Sequence, residues 1–544
     1  MIELLSQNPL LLLFVVAALG YGLGSISIRG SKLGVAAVLF VGLFFGALDE
    51  SLQIPSIVFI LGLSIFVYSI GLSSGPGFMA AIGGRSNQRE LSFVFLMIMV
   101  SGLYAVAIHF LFGFSSAETA GMFSGSSTNT AALAGVLDAI QKRFPESLAS
   151  GVSEESVVGY SITYPMGVLG GMIGIAVLQK WMKVDFKQEA FALRHTYPID
   201  SSIRNTTIEV SSDTSRAISI RDLLRTHGWT AVFGRMKRGS ETSLTNWDTT
   251  FVPGDKVAVV GREEDLAEIT EILGKESSEE LTRDHSVYSH HRVFVSNPRV
   301  AGKKIASLNL TEKYSAIITR VRRGDVDLLA RGDTVIELGD RIRFVAREED
   351  VRPMIALFGD SYAKLSQINL LSFGLGMAAG LLLGMVSFSL PGGIAFQLGF
   401  AGGPLMVALV LGALRRTGPI VWTLPYSANL TLRQFGLILL LATVGIRSGH
   451  TFVDTVQSGG AGPLFLGGAI LSLLTAFTIL IVGYKLFKIP FGILSGMVAN
   501  QPAILDFAVN RAENQLPNYG YAVMFPLGLI MKIVIVQILF ALLA

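Results

Sequence analysis

The distribution of apolar residues constrains this fold more than any other feature of the sequence. Runs about as long as a bilayer crossing form two groups on either side of a charged stretch, at 8–28, 33–48, 54–73, 91–113, 117–138 and 157–181, and at 366–387, 401–414, 430–446, 462–487, 491–508 and 519–543. A helix needs about 20 apolar residues to cross the hydrocarbon core. Because 51% of the residues are hydrophobic and only 15% are charged, we predict a polytopic α-helical membrane protein.

Several classes of function are excluded by the residues and motifs that the sequence lacks. The chain has no cysteine, which rules out disulfides, thiolate metal sites and cysteine catalysis. Its seven histidines show no paired spacing, and its net charge of +3 is spread between the apolar runs. We therefore predict no metal site, no cofactor and no nucleic-acid partner. Without a Walker loop or a nucleophile elbow, we expect neither an ATP-driven pump nor an enzyme.

The first apolar run is predicted to be a spanning helix. It follows Glu3 and no basic residue, and no small-residue cleavage site comes after it. A signal peptide would have a positively charged start and such a cleavage site. We therefore expect this run to stay in the membrane.

The charged stretch at 185–360 contains an internal repeat. A shift of 85 residues (339 − 254) places 254–257 on 339–342, and each copy is predicted to run helix, strand, Arg-Gly turn, strand and short helix. No run in this stretch is long enough to span a bilayer. We predict a soluble α+β insert with two domains between two membrane halves, with bounds at 1–184, 190–275, 285–362 and 366–544.

The two membrane halves also repeat each other. Four residues of the third run match four residues of the ninth at one constant spacing, namely Gly62, Gly71, Gly75 and Phe78 with Gly436, Gly445, Gly449 and Phe452. The last run of each half shows a closer match, between 159–167 and 520–528. Duplicated halves are typical of secondary transporters.

Each half has one polar break inside an apolar run, with the pattern Ser-Gly-x-x-x-Asn at 124–129 and at 495–500. Irregular backbone at membrane depth is tolerated only where protein buries it or where it lines a wet cavity, and the N-termini of half-helices suit carboxylates. The competing explanation is that small polar residues merely let helices pack closely. We predict two facing tips around a substrate, formed by Ser126, Ser127, Thr128, Asn129 and Thr130, and by Ala499, Asn500, Gln501 and Pro502.

Two basic residues are further candidates for binding an anion. Lys532 lies deep in the final run, about twelve residues from either end, and an ionisable residue inside a membrane helix is a functional hypothesis by default. Its counterpart in the first half is Gly171. Arg447 lies at the end of the matched run, where the first half has Ser73, and is the weaker candidate. The alternatives are a lysine that pairs with helix carbonyls and a solvated arginine at a helix end.

Four other residues near the breaks have predicted structural roles. Pro165 and Pro526 each follow an aromatic residue and are predicted to kink the helices that close around the tips. Asp138 and Asp506 come after the two breaks. Either carboxylate is expected at a helix end, and cation coupling is the alternative.

Positive charges distinguish between topologies of the halves. If all six runs of a half crossed, the halves would be parallel, and a cytoplasmic insert would leave four basic residues outside, against the positive-inside rule: Arg29, Lys32, Arg85 and Arg89. If the broken run instead re-enters, each half has five crossings, the halves are inverted, these residues lie inside and both termini lie outside. Lys142, Arg143 and Arg447 are exceptions to that pattern. In the remaining alternative, the broken run crosses as an unwound helix and one other run does not cross.

Three parts of the sequence carry a resemblance to a known family. They are 28–34, 39–43 and the paired Gly-Tyr…Pro-x-Gly blocks described above. Together with the duplicated halves they resemble the aspartate:alanine exchanger family, over nearly the whole chain, and the insert resembles a tandem pair of RCK_C (TrkA_C) domains. The resemblance implies an electrogenic antiporter of the bacterial inner membrane that exchanges a small anionic or zwitterionic substrate, such as aspartate, alanine or a dicarboxylate.

The same resemblance implies partners and a mechanism. The partners are the lipid bilayer, a second copy in a homodimer, and a small regulatory ligand on the RCK_C-like domains. An elevator-like motion follows from fold analogy. Two other functions stay open at the level of sequence, an ion-coupled dicarboxylate symporter or exporter and a ligand-gated ion channel. The Thr-Val-Gly at 443–445 lacks the Tyr-Gly of a potassium filter.

Overall fold

The structure, a computed structural model, forms two units. It describes residues 2–28, 31–32, 34–83, 88–193, 203–211, 218–281, 287–324, 326–365, 367–389, 395–514 and 516–543. Arg29 and Arg85, two of the basic residues that favour an inverted topology, lie outside these residues. The first unit, here the membrane unit, comprises Met1–Ile199, Phe373–Leu414 and Leu430–Ala544, and the second, here the sheet unit, comprises Asp200–Ser372 and Arg415–Asn429.

The elements before the insert are nearly all helices. They are α1 (Ile2–Gln7), α2 (Pro9–Ser25), α3 (Ala37–Leu48), α4 (Ser56–Gly83), α5 (Gln88–Phe112), α6 (Ser116–Ser126), α7 (Thr130–Arg143), α8 (Glu146–Trp181) and α9 (Phe186–Leu193). The strands β1 (Ser27–Ile28) and β2 (Ser31–Lys32) pair antiparallel between α2 and α3. The predicted fifth run is thus divided into α6 and α7.

The insert carries the longer strands of the described chain. Its first copy has β3 (Ile203–Val210), α10 (Ile220–His227), β4 (Ala231–Arg238), β5 (Glu241–Leu244), β6 (Lys256–Arg262), α11 (Glu263–Leu273) and β7 (Gly274–Glu276). Its second copy has β8 (Tyr288–Phe294), α12 (Leu310–Tyr314), β9 (Ile317–Arg323), β10 (Val326–Leu329), β11 (Arg341–Arg347), α13 (Glu348–Phe358) and α14 (Tyr362–Leu365). The prediction omitted the short strands β5 and β10 that follow the Arg-Gly turns.

The second half repeats the order of the first. It has α15 (Leu370–Met385), β12 (Ser387–Ser389), β13 (Ala395–Gln397), α16 (Gly399–Leu414), β14 (Arg416–Thr417), β15 (Ile420–Val421), α17 (Tyr426–Gln457), α18 (Ala461–Lys485), α19 (Phe491–Val498), α20 (Pro502–Ala512) and α21 (Leu516–Leu543). The predicted eleventh run is divided into α19 and α20, as the fifth is into α6 and α7.

Six helices of the described chain are long and apolar enough to cross a membrane, namely α4, α5, α8, α17, α18 and α21. Four shorter apolar helices accompany them, α2, α3, α15 and α16. The 12 residues of α3 extend about 18 Å at the usual rise per residue, which is less than the hydrocarbon thickness of about 30 Å. The runs predicted from hydropathy therefore divide into long helices, short helices and broken helices.

The matched glycines bring α4 and α17 into backbone contact. A Cβ on Gly62 would lie 2.9 Å from the carbonyl oxygen of Gly436, and a Cβ on Gly436 would lie 2.8 Å from the carbonyl oxygen of Gly62. Gly62 also faces Leu440, and Gly436 faces Phe66. Residue numbers rise along one helix as they fall along the other, so α4 and α17 are antiparallel where they cross.

The other matched glycines contact the short helices of the opposite half. Gly71 and Gly75 of α4 lie against Leu405 and Leu409 of α16, in the same order along both helices. In the same way Gly445 and Gly449 of α17 lie against α3, at Leu39 and Leu43. Small residues permit this close approach of helix backbones. The equal spacing of the glycines therefore reflects the same packing role in both halves.

The sheet unit repeats a specific ion pair as well as its strand order. Its two larger sheets have the orders β5-β4-β6-β3-β7 and β10-β9-β11-β8. Arg238 donates to both carboxylate oxygens of Asp255 at 2.9 and 2.7 Å, and Arg323 donates to both oxygens of Asp340 at 2.8 Å. Each aspartate is the acidic residue of a Gly-Asp turn. The shift of 85 residues thus relates the copies down to individual hydrogen bonds.

The two copies also hold each other reciprocally. Arg235 of the first copy donates to the carbonyl oxygen of Tyr288, at the start of the second copy. Arg320 of the second copy donates to the carbonyl oxygen of Ile203, at the start of the first. Both pairs are related by the same shift, because 235 + 85 is 320 and 203 + 85 is 288. Equivalent arginines therefore form the contact in both directions.

Candidate functional site

Each broken helix is interrupted by three residues, at 127–129 and at 499–501. In the first break Thr128 has a φ of 47°, a conformation that few residues other than glycine adopt. Asn129 is the N-cap of α7, and its side-chain oxygen accepts a hydrogen bond of 3.0 Å from the backbone N–H of Ala132. The cap satisfies one of the N–H groups that a helix start leaves unpaired. Asn129 therefore stabilises the break itself.

The helix before the first break, α6, is parallel to α8. The hydroxyl of Ser156 donates to the carbonyl oxygen of Ala117 at 2.9 Å. Further along both helices, the hydroxyl of Thr163 donates to the carbonyl oxygen of Met122 at 3.4 Å, and the methyl group of Thr128 lies beside Gly167. The first break is therefore level with the middle of α8.

The helix after the first break, α7, returns toward the start of α8. Its first residue, Thr130, shares a hydrogen bond of 2.8 Å with the hydroxyl of Tyr160. Its last residue is Arg143, three positions before α8 begins at Glu146. The helices α6 and α7 thus form a hairpin, and its tip lies beside the middle of α8.

The second pair of half-helices approaches α8 from its other end. The hydroxyl of Tyr164 donates to the side-chain oxygen of Gln501 at 3.0 Å, which holds the second tip beside the middle of α8. Arg511, near the end of α20, bonds to Gln179 near the end of α8. The carboxylate of Glu189, in α9, accepts the backbone N–H groups of Phe491 and Gly492 at 2.7 Å each, where α19 begins. Both α19 and α20 are therefore anchored at the C-terminal end of α8.

The two tips share one cavity. It has an empty volume of about 410 Å³, counting the space open at its mouth, and its lining includes Ser126 and Ser127 of the first tip and Asn500 of the second. Lys532 of α21 also lines it. The structure thus brings four of the residues predicted from sequence to one place.

Lys532 carries the positive charge of this cavity. Its side chain is 7% exposed, and its Nζ donates to the side-chain oxygen of Asn500 at 2.6 Å. Gly171, which corresponds to it in the first half, lines the same cavity without a charge. The N-termini of α7 and α20 lie at the two tips and add partial positive charge. The arrangement is suited to an anionic group.

The other predicted tip residues surround this cavity without being among its lining residues. Ala499 is fully buried, and Gln501 is bound to Tyr164 as described. The hydroxyl of Thr128 is buried and has no hydrogen-bond partner among the described residues. Pro502 is the first residue of α20, and its ring lies outside the described side chains. These residues form the rest of the tips, whereas the tip residues that line the cavity are Ser126, Ser127 and Asn500.

Arg447 and Asp138 differ from their predicted positions. Arg447 lies within α17 and not at its end, and its guanidinium donates to the carbonyl oxygen of Ile54 at 2.9 Å, away from the cavity. Asp138 lies within α7 and not at a helix end. Its carboxylate pairs with Lys142 at 3.0 Å and accepts the backbone N–H of Phe400 at 3.2 Å, where α16 begins. Each side chain thus forms a hydrogen bond with a backbone group that is distant in sequence.

The prolines predicted as kinks both lie inside helices. Pro165 is within α8, next to Tyr164, which holds the second tip. Pro526 is within α21, and its ring lies outside the described side chains. Among the residues that the structure describes, no three His, Asp or Glu side chains form a group that could hold a metal ion.

Three polar residues of the cavity were missed by the sequence analysis. Ser101 of α5 and Ser472 and Thr475 of α18 line the cavity together with the tips. The signal was present, because the shift that matches Ser124 with Ser495 (495 − 124 = 371) also matches Ser101 with Ser472 (472 − 101 = 371). The cavity is therefore built from matched helices of both halves.

The comparisons with known proteins identify the family. The model of the Asp-Al_Ex family, described as a predicted permease membrane region, matches residues 12–180 and 372–541. The chain belongs to this family. A TrkA-C domain model matches residues 291–359, which is the second copy of the insert. The family match to both halves and the TrkA-C match to the insert confirm the resemblance that the sequence analysis described.

Relatives match over the full length of the chain. An uncharacterized transporter of Geobacter sulfurreducens is 48% identical over 100% of both chains, and one of Symbiobacterium thermophilum is 42% identical over 100% of both. One of Corynebacterium diphtheriae is 39% identical over 99% of this chain and 100% of the relative. No solved structure matches this chain. The protein is thus a multi-pass member of a family of membrane transporters.

Proposed function

We propose that the protein is an electrogenic secondary antiporter that exchanges a small anionic amino acid or dicarboxylate for a zwitterionic amino acid, as in the exchange of aspartate for alanine. The observation that carries this proposal is the cavity in which both tips meet Lys532. Aspartate has a net charge of about −1 and alanine of about 0 at neutral pH. Each exchange cycle would therefore move one net charge across the membrane.

Substrate binding follows from the chemistry of the cavity. A carboxylate takes one or two of the three N–H donors of Lys532, while the third bonds Asn500. The helix N-termini at the tips stabilise the same negative charge, and the hydroxyls of Ser126, Ser127 and Ser472 supply neutral hydrogen bonds. A substrate without a carboxylate leaves the buried ammonium without an ionic partner, which is costly. The site therefore favours carboxylates.

The proposed topology is an inverted repeat with five crossings and one re-entrant hairpin in each half. It is supported by the antiparallel crossing of α4 and α17, and by hairpins that approach α8 from its opposite ends. The contacts of α21 also support it. Gln537 of α21 donates to the carbonyl oxygen of Gly135 in α7, and Arg143 of α7 donates to the carbonyl oxygen of Ala541 in α21. In these contacts α21 runs parallel to α7, and so antiparallel to its counterpart α8.

We further propose that the C-terminal end of α8 is cytoplasmic, in the bacterial inner membrane, and that both termini are outside. Lys485 lies 5.3 Å from the ring of Trp181 at this end, and Arg511 bonds Gln179 there. From this end the chain continues through α9 into the insert. Basic residues favour the cytoplasmic side, so the insert would be cytoplasmic.

An elevator-like motion is the mechanism that we propose for alternating access. In that mechanism the two hairpins, with α5, α8, α18 and α21, would move against α2–α4 and α15–α17. One contact that such a motion would break joins Asp138 of the first hairpin to the N–H of Phe400. The division into a moving and a static body, and the homodimer, rest on fold analogy.

Reconstituted protein tests exchange directly. Liposomes loaded with aspartate, glutamate or succinate should take up labelled aspartate, whereas empty liposomes should not, and an imposed membrane potential should change the rate of aspartate exchange for alanine. Equally fast uptake into empty liposomes under an ion gradient would instead establish an ion-coupled symporter. Single-channel currents would establish a channel.

The tips are tested by Asn500→Ala and Asn129→Ala. We expect both variants to lose uptake, Asn500→Ala because the ammonium of Lys532 loses its partner and Asn129→Ala because the cap of α7 is worth about 1 kcal/mol. The exposed Asn8→Ala is a matched control and should transport normally. Full uptake by both tip variants, at normal expression, would refute the site.

A further inference from the structure

The sheet unit contains a second cavity, here called the arginine cavity. It lies in the second copy of the insert and has an empty volume of about 420 Å³, counting the space open at its mouth. It is lined by Arg292, Arg320, Arg322, Asp327, Arg341 and Arg343. These lining residues comprise five guanidinium groups and one carboxylate, a formal charge of +4 (5 − 1). Nothing in the proposed transport cycle uses this cavity.

The register of the sheet places these arginines directly opposite one another. Arg343 of β11 pairs across the sheet with Arg292 of β8 and with Arg320 of β9. Arg341 pairs in the same way with Arg322. Like charges directly opposite on a sheet are destabilising. Partial burial, together with Arg292 and Arg320, holds the pKa of the Arg343 guanidinium below its ordinary value.

Within the lining of this cavity, Asp327 offsets part of the positive charge. One terminal nitrogen of Arg320 donates to the carboxylate of Asp327 at 3.3 Å, and the other terminal nitrogen donates to the carbonyl oxygen of Ile203. Among the lining residues, the basic side chains outnumber the acidic one by five to one. An added anion would relieve the repulsion among the opposed strands.

The first copy of the insert contains an anion at the equivalent place. The shift of 85 residues relates Arg322 to Lys237 and Arg341 to Lys256. In the first copy these two ammonium groups share one carboxylate, because Glu279 lies 2.5 Å from Lys237 and 2.6 Å from Lys256. The protein therefore uses a carboxylate of its own to bridge this pair of positions.

The second copy does not supply that carboxylate from the equivalent position. The residue equivalent to Glu279 is Lys364 (279 + 85 = 364). The second copy also has arginine at 292 and 343, where the first copy has Thr207 and Ala258. The second copy is thus more basic at the place where the first copy holds a carboxylate.

We propose that the arginine cavity binds a small anion that carries phosphate groups. Arginine forms paired hydrogen bonds with phosphate oxygens and stays charged when partly buried. A formal charge of +4 suits a ligand with more than one negative charge. The phosphate chemistry can come from a soluble phosphate ester or from the headgroup of an anionic phospholipid.

Titration of the purified full-length protein with inorganic pyrophosphate tests the proposal. Calorimetry at low salt should show one site per chain, with affinity that falls as salt rises. Arg341→Gln, at an exposed position, should weaken binding about tenfold or more. The matched control Arg331→Gln, an exposed arginine paired with Asp333, should bind as the wild type does. Absence of binding, or equal loss in both variants, would overturn the proposal.

A short-chain phosphatidylglycerol distinguishes the two sources of phosphate. Displacement of pyrophosphate by this lipid at lower concentration than by a soluble nucleotide assigns the cavity to a lipid headgroup. The reverse order assigns it to a soluble ligand. Failure of both compounds to compete at concentrations where pyrophosphate binds would contradict a phosphate site.

The first copy supplies an independent test. Glu279→Ala removes the carboxylate that bridges Lys237 and Lys256, so a second, weaker pyrophosphate site should form, and the stoichiometry should rise from one to two. Adding Lys256→Gln to that variant should return it to one. An unchanged stoichiometry in Glu279→Ala would refute the equivalence of the two copies. Because binding is measured, none of these results depends on transport.

Discussion

Replacing Lys532 by methionine should separate the two substrates of the proposed exchange. The Nζ of Lys532 has three N–H donors, and Asn500 takes one, so at most two remain for a carboxylate. Hydrogen bonds to charged groups are worth about 1.5–3 kcal/mol each. We take the lower value because the carboxylate must compete with Asn500. The loss of two such bonds then costs about 3 kcal/mol, or roughly a hundredfold in affinity.

The assay is the KM of uptake into proteoliposomes, measured for aspartate and for alanine. If Lys532 binds the side-chain carboxylate of aspartate, Lys532→Met should raise the KM for aspartate about a hundredfold and change that for alanine little. The matched control is Lys485→Met, which removes a lysine at the end of α18 beside Trp181 and should leave both values unchanged.

Two results would contradict this reasoning. An aspartate KM that stays within about twofold of the wild type, in protein of normal size and yield, would mean that the ammonium does not contact substrate. An equal rise for both substrates would mean that it binds the α-carboxylate or only supports Asn500.

Three further predictions follow from the packing. Tyr164→Phe removes the hydrogen bond to the second tip, worth about 1 kcal/mol, so uptake should fall several-fold while the Tm falls by no more than about 4 °C. Gly62→Val should lower the Tm by forcing α4 and α17 apart, whereas Gly22→Val, at a glycine with open space around it, should not. Arg323→Gln leaves the buried carboxylate of Asp340 without its paired donors, at a cost of about 3 kcal/mol, and limited trypsin digestion should cleave the sheet unit faster.

The duplications and the two tips could be predicted from sequence because each has a local physical cause. Gly62 and Gly436 are glycines because the helix backbones touch there. The matched spacing of the glycines is therefore visible in the sequence as a pattern. A polar break in an apolar run is visible for the same reason. The hydrogen bond between Lys532 and Asn500 depends on the tertiary structure. The sequence indicated only that each residue was unusual in its position.

Other residues could not be placed because their partners are remote. Arg447 was placed at a helix end because the apolar run stops at 446, and its partner, the carbonyl oxygen of Ile54, lies 393 residues away. Asp138 was assigned to a helix end, because the sequence does not show that its contact, Phe400, lies in the other half. Ser101 and Ser472 resembled ordinary packing residues, and only the repeat distinguishes them. The strands β5 and β10 have four residues each, too few for alternation to be recognised.

The helices of each half pack on helices of the other half, and this has a consequence for synthesis. Gly42 of α3 packs on Gly445 of α17, and the ribosome makes about 400 residues between them (445 − 42 = 403). At about 5–20 residues per second this takes roughly 20–80 s. During that time α3 has lipid or an insertion factor as its neighbour in place of α17. Two fragments divided within the insert should therefore assemble into an active transporter when made together, and neither should be stable when made alone.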